Sequence, residues 1–130
     1  MNILSIKETC IYVEDLERSR HFYSDKLGLP LISFVKNRHV FLKAGASVLL
    51  CFLAEKTKQE EQLPPHGAQG QIHFAFEVSK EEYANALSQI KKSGIEILHE
   101  HLWKNGLRSF YFHDPDNHLV EIIEQGLWEQ

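Results

Sequence analysis

The chain has 130 residues, 43% hydrophobic and 25% charged, and a formal net charge of −4 from 14 basic and 18 acidic residues. That length suits one compact domain or two small halves sharing a core. Basic residues are nowhere dense enough to follow a phosphate backbone, so nucleic acid is not an expected partner, and no apolar run reaches the roughly 18 residues of a membrane span.

The opening segment, MNILSIKETC, lacks the basic start and long apolar core of a signal peptide, so a cytoplasmic location is expected. Cys10 and Cys51 both sit in apolar, strand-like runs and read as buried free thiols rather than a disulfide framework. In chain order, TCIYV is rich in β-branched and aromatic residues and predicts a strand. Asp15 caps a predicted helix whose apolar face is Leu16, Phe22, Tyr23 and Leu27. Gly28 and Pro30 end it. LISFV, HVFLKAG and SVLLCFL predict three more strands.

A polar stretch from Ala54 to Gly70, rich in Lys, Glu, Gln, Pro and Gly, reads as a linker or mobile loop. The order then repeats. IHFAFEV predicts a strand, and SKEEYANALSQIKKSG predicts a helix with Ser79 as cap, Glu82 as capping-box partner and Gly94 as stop. IEILHEH, RSFYFHD and HLVEIIE predict three final strands. The expected fold class is therefore α+β, with tandem βαβββ modules. One domain spans residues 1–130: a first module over about 5–54, a linker over about 55–70, and a second module over about 71–125.

The repeat has a residue-level register. Val13 and Val78 end the first strands of the two modules, an offset of 78 − 13 = 65. The same offset places Glu8 opposite His73, and the last strands place Leu50 opposite Glu121. Three of the four equivalent positions are thus ligand-type. Glu121 stands out, because it lies between Val120 and Ile122 in a strand and a buried carboxylate needs a cation, an arginine or water. Taken singly, Glu8 also reads as a solvated edge residue and His73 as a hydrogen-bonded edge histidine. Together the two carboxylates and one imidazole suit Mn²⁺, Fe²⁺, Co²⁺, Ni²⁺ or Zn²⁺ and leave positions open for water or substrate.

Around these positions, Arg108 opens a strand and is expected to point toward the site, where it would anchor an anion; its other reading is a surface arginine. Trp103 is a candidate wall of a substrate pocket or a packing residue, and Tyr111 shares a strand face with Ser109. His99 and His101, two apart in LHEHLW, share a strand face and form a second, lesser metal-binding candidate. His66, in PPHGA, is a candidate proton carrier or a plain loop residue.

Three segments, YVEDLERSRHFYSDKLGL, IHFAFEV and RSFYFHDPDNHLVEI, resemble the signature segments of the vicinal oxygen chelate superfamily, which includes glyoxalase I, fosfomycin thiol transferases, extradiol dioxygenases and bleomycin-sequestering proteins. The resemblance runs from about Ile6 to Glu124 and implies a cupped, barrel-like mixed sheet with flanking helices. It implies metal ligands at Glu8, His73 and Glu121, a small-molecule substrate with a thiol cosubstrate in some members, and a homodimer. The implied activity is that of a metal-dependent lyase, isomerase or transferase, with Glu121 and His66 as catalytic candidates and Arg108, Trp103 and Tyr111 as substrate contacts. Two alternatives stand beside it: an Fe(II) ring-cleaving dioxygenase and a sequestering protein without turnover. Glu8 stands where these families more often carry His or Gln, and Leu50 where glyoxalase I carries a Glu.

Overall fold

A computed structural model describes residues 1–129. These divide into two compact units, Met1–Gly70 and the segment beginning at Gln71. Each unit is a four-stranded mixed sheet with helical connections, so the architecture is α+β. No helix among the described residues is long and apolar enough to cross a membrane.

In the first unit, β1 (Glu8–Tyr12) lies parallel to β4 (Ser47–Phe52), which is followed in the sheet by β3 (His39–Ala44) and edge strand β2 (Leu31–Val35). Asp15 accepts a hydrogen bond from the Arg18 amide at 3.0 Å and starts α1 (Leu16–Arg20). The expected helix does not continue as a regular α-helix. It widens into a π-helical segment, His21–Lys26, where the Leu27 amide donates to the Phe22 carbonyl at 3.1 Å. Leu16, Phe22 and Tyr23 are buried as their spacing predicts, together with Ile11, Val40, Leu42, Leu49 and Cys51 from the sheet. The polar stretch from Ala54 is partly ordered: α2 (Ala54–Thr57) opens it, and the His66 amide donates to the Thr57 carbonyl at 3.1 Å.

The second unit repeats the topology. β5 (His73–Val78) lies parallel to β8 (Leu119–Glu124), flanked by β7 (Arg108–His113) and edge strand β6 (His99–Leu102). The helix α3 spans Tyr83–Lys92, shorter at its start than the sequence predicts. Ser79 caps the turn before it, its hydroxyl and carbonyl both accepting from the Glu82 amide. Gly94 (φ +77°) ends it, because the left-handed turn there needs a residue without a Cβ. The strand expected from Ile95 begins only at His99, since the Ile95 amide still closes the helix by donating to the Ile90 carbonyl at 3.3 Å.

Alternation then sorts each sheet into two faces. In the second unit Phe110, Phe112, Val120 and Ile122 are buried on the helix-bearing face, where Tyr83 of α3 meets Phe110 edge-on at 5.5 Å. The other face carries His73 and Ala75 of β5, Leu119 and Glu121 of β8, Ser109 and Tyr111 of β7, and His99 and His101 of β6. The sequence-derived register holds in the pairing itself. Glu8 and His73 are the first residues of β1 and β5, Leu50 pairs with Cys10, Glu121 pairs with Ala75, and 75 − 10 returns the offset of 65.

Arg108 and Glu124 tie the end of β8 to the start of β7 on the helix-bearing face. The Arg108 amide donates to Glu124 Oε2 at 2.8 Å, and its guanidinium donates through Nε to Oε1 at 2.9 Å and through a terminal nitrogen to the same oxygen. These bonds hold the Glu124 carboxyl below its usual range. A depressed carboxylate stabilises the fold above its unfolded pKa and loses that contribution as pH falls through the folded value. The stability gap between the wild type and Glu124→Gln is therefore expected to be full at neutral pH and to close as pH drops below 4.5, the group's ordinary value. Urea unfolding at a series of pH values checks this; a gap that is constant down to acid would contradict it.

Candidate metal-binding face of the second unit

The DPDNH turn positions the site. Asp114, buried, accepts from the Asp116 and His118 amides at 2.9 Å each, and Asn117 takes the left-handed conformation (φ 63°) that turns the chain into β8. His118 is also buried, and its Nδ1 accepts from the Ile72 amide at 3.1 Å. The Leu119 amide donates to the Ile72 carbonyl at 2.8 Å. One turn thereby fixes the start of β5 against the start of β8, and with it the two residues that matter, His73 and Glu121.

Those two side chains meet. His73 Nε2 lies 3.2 Å from Glu121 Oε1, with the imidazole half exposed (49%) and the carboxylate nearly enclosed (8%). The other ring nitrogen, Nδ1, lies 3.0 Å from the Leu119 carbonyl oxygen. A carbonyl only accepts, so Nδ1 carries the hydrogen and Nε2 of the neutral ring holds its lone pair toward the carboxylate. Two electron pairs facing one another at that distance call for a cation, either a proton on Nε2 or a metal ion. An imidazole whose far nitrogen donates to a backbone carbonyl, beside an enclosed carboxylate, is a donor set that fits a divalent metal ion.

Tyr111, opposite Glu121 in the ladder, extends the constellation. Burial pushes its phenol up, and the neighbouring Glu121 charge and hydrogen bond act in the same direction, opposed by Ser109. Trp103 Nε1 donates to Ser109 Oγ at 3.1 Å, and the serine hydroxyl reaches the Tyr111 oxygen at 3.5 Å. The Trp103 indole thus sets the serine, and the serine leaves the Tyr111 proton for Glu121. Trp103 and Tyr111 therefore stand on the same face as His73 and Glu121.

Arg108 does not. The register puts it with Phe110 and Phe112 on the helix-bearing face, where Glu124 holds it and its guanidinium lies 4.4 Å above the Tyr83 ring. An internal partner takes the anion-binding capacity that the sequence suggests for a substrate. In the first unit, Glu8 is exposed at the start of β1, opposite Val48. His66 is not a bare loop residue: its Nδ1 lies 2.7 Å from the Tyr12 hydroxyl, and its ring meets Phe52 edge-on at 4.9 Å. Tyr12 is pushed up to about 12 by burial and by Cys10, so the phenol keeps its proton. Among the described residues no group of three His, Cys, Asp or Glu side chains gathers to hold a metal ion.

Sequence reasoning missed two features. His118, expected only as the first residue of the last strand, is instead a buried acceptor for the Ile72 amide of the neighbouring segment. The first unit also holds a polar chain on β3: Arg38 joins Glu60 at 2.5 Å and His39 Nδ1 at 2.5 Å, and His39 Nε2 reaches Ser33 Oγ at 3.0 Å. Burial, and then the Arg38 charge, keep His39 below its ordinary pKa.

This fold has counterparts among known proteins. Residues 5–122 match the family described as the Glyoxalase/Bleomycin resistance protein/Dioxygenase superfamily. The chain belongs to that superfamily. Among curated relatives it is 29% identical over 118 residues to glutathione transferase FosA of Serratia marcescens, covering 91% of this chain and 79% of the relative. It is 28% identical over 125 residues to metallothiol transferase FosB of Staphylococcus epidermidis, covering 94% and 82%. Among solved structures, a lactoylglutathione lyase from Agrobacterium tumefaciens superposes with a TM-score of 0.90 at 34% identity, covering 97% of each chain. The superfamily resemblance in the sequence is thereby borne out.

The buried imidazole at the turn gives a direct check on how this member builds its site. His118→Leu removes the acceptor for the Ile72 amide at a fully enclosed position and is expected to cost about 1–3 kcal/mol in urea unfolding. Loss of protection of the Ile72 amide in hydrogen exchange is expected alongside; unchanged stability and protection would contradict the assignment.

Proposed function

We propose that this superfamily member is a metal-dependent enzyme of the glyoxalase or thiol-transferase kind. A divalent ion is held by His73 and Glu121 of the second unit, with the remaining positions open to water or substrate. The observation that carries the reading is the orientation of His73: Nδ1 engaged by the Leu119 carbonyl, Nε2 aimed at Glu121 Oε1 3.2 Å away. When bound, the ion supplies Lewis acidity toward adjacent oxygens of a small substrate. Mn²⁺, Ni²⁺, Co²⁺, Zn²⁺ and Fe²⁺ all suit a carboxylate and an imidazole.

The remaining work falls to the chain's own groups. Tyr111, kept protonated by its burial, presents a phenol hydrogen beside the Glu121 carboxylate and orients it. Trp103 supplies an apolar wall on the same face. A thiol cosubstrate is supported by the names of three relatives, a glutathione transferase, a metallothiol transferase and a lactoylglutathione lyase. Arg108 has no part in this reading, because Glu124 occupies it.

Metal analysis of the purified protein tests the assignment. His73→Ala and Glu121→Ala are expected to lose the metal that the wild type retains after dialysis. Full metal content in both His73→Ala and Glu121→Ala would overturn it. With metal restored, thiol consumption without oxygen uptake is expected across a panel of electrophilic oxygenated substrates, whereas oxygen uptake with Fe²⁺ would favour the ring-cleaving alternative.

A further inference from the structure

Two imidazoles on the same sheet are used by nothing above. His99 and His101 project from edge strand β6, and the pairing sets His99 opposite Tyr111 and His101 opposite Ser109. Tyr111 of β7 lies between His99 and Glu121, which puts the two sites about two strand spacings, roughly 9–10 Å, apart.

The two rings already converge. His99 Nε2 lies 3.5 Å from His101 Nδ1, and the ring centroids are 5.6 Å apart. Two imidazole nitrogens bound at about 2.0–2.1 Å to one tetrahedral ion stand about 3.3–3.4 Å apart. The observed separation therefore needs only a slight closure to hold an ion. Each ring is also steadied by an aromatic neighbour. His101 meets Trp103 edge-on at 4.5 Å, and Trp103 is itself held by Ser109; His99 lies 5.9 Å from the Tyr111 ring. Holding both rings in place reduces the side-chain entropy lost when they chelate. His99 is exposed and His101 half-buried, so solvent can fill the other coordination positions.

We propose that His99 and His101 form a second metal site, a two-imidazole chelate on edge strand β6 that takes a borderline divalent ion such as Cu²⁺ or Zn²⁺ in preference to Mn²⁺ or Mg²⁺. The preference follows from the ligands, since imidazole suits copper and zinc while oxygen donors suit the harder ions. The site does not depend on the role given to His73 and Glu121. It places an ion beside Trp103 and Tyr111, on the face that the proposed substrate would use, so an occupied site would also alter access to that face.

Trp103 supplies a local reporter. The other tryptophan, Trp128, is exposed and is removed by Trp128→Phe. In full-length Trp128→Phe carrying His73→Ala and Glu121→Gln, Cu²⁺ titration is expected to quench Trp103 emission to saturation at one equivalent, with Zn²⁺ competing and Mn²⁺ not. His101→Ala, and separately His99→Ala, are expected to abolish the saturable quench. Trp103→Leu, read by calorimetry, is expected to weaken Cu²⁺ binding by about tenfold through loss of ring support. Quenching that survives both histidine substitutions, or no saturable quenching at all, would overturn the proposal and leave the rings sharing a proton only. Mn²⁺ binding followed separately in the His99→Ala and His101→Ala chains keeps the two sites distinguishable, since loss at His73 and Glu121 alone bears on the other site.

Discussion

A carboxylate enclosed in the apolar register of a strand has to be matched by positive charge, and the second unit is arranged around that requirement. Glu121 lies between Val120 and Ile122 with 8% of its side chain exposed. Unpaired, such a group would be costly enough to shift or destabilise the strand. His73, brought to 3.2 Å by the parallel pairing of β5 with β8, makes with it the pair of donors between which that cation would sit. Parallel pairing is what allows a residue at the beginning of one strand to reach a residue two positions into the other. The Leu119 carbonyl, two pairs earlier in the same ladder, then fixes which imidazole nitrogen faces the carboxylate.

The rest of the unit serves that pairing. The DPDNH turn sets the start of β8, and His118 ties the start of β5 to it. Phe110, Phe112, Val120 and Ile122 bury the opposite face beneath α3, so the strand order and the alternation are both fixed by burial. A slip of one residue would place Glu121 under the helix and Ile122 on the open face, which burial on one side and charge on the other both oppose. Arg108 and Glu124 anchor the far end of the β7–β8 ladder in the same way, with a carboxylate satisfied by an internal cation. The unit thus uses two buried glutamates on β8, one closed by an arginine and one left facing an imidazole.

The first unit has the same skeleton with a different filling. Leu50 occupies the position of Glu121, and the same face carries aromatic rings, Phe41, Phe52 and His39, the last stacked on Phe41 at 3.7 Å. His66 and Glu60 from the polar stretch close onto this face through Tyr12 and Arg38. An internal repeat has therefore kept its backbone register while one copy keeps ligand-type groups and the other an aromatic, hydrogen-bonded surface. Membership of the superfamily is consistent with such divergence, since its fold is shared and its reactions are set by the site.

The tandem repeat, the 65-residue offset and the pairing of Glu121 with an imidazole were legible in the sequence, because strand alternation and a two-copy pattern are local and periodic. The end of the first helix, the late starts of α3 and β6, and the ordering of the segment after Ala54 were not. Each is decided by hydrogen bonds between groups whose proximity the sequence does not state, such as Ile95 returning to Ile90. The clearest case is Arg108. Its residue type and place at a strand start suit an anion anchor, yet strand parity puts it on the helix-bearing face beside Glu124, a partner 16 residues away. Which face a strand residue serves follows from where the helix packs, and only the tertiary structure decides that.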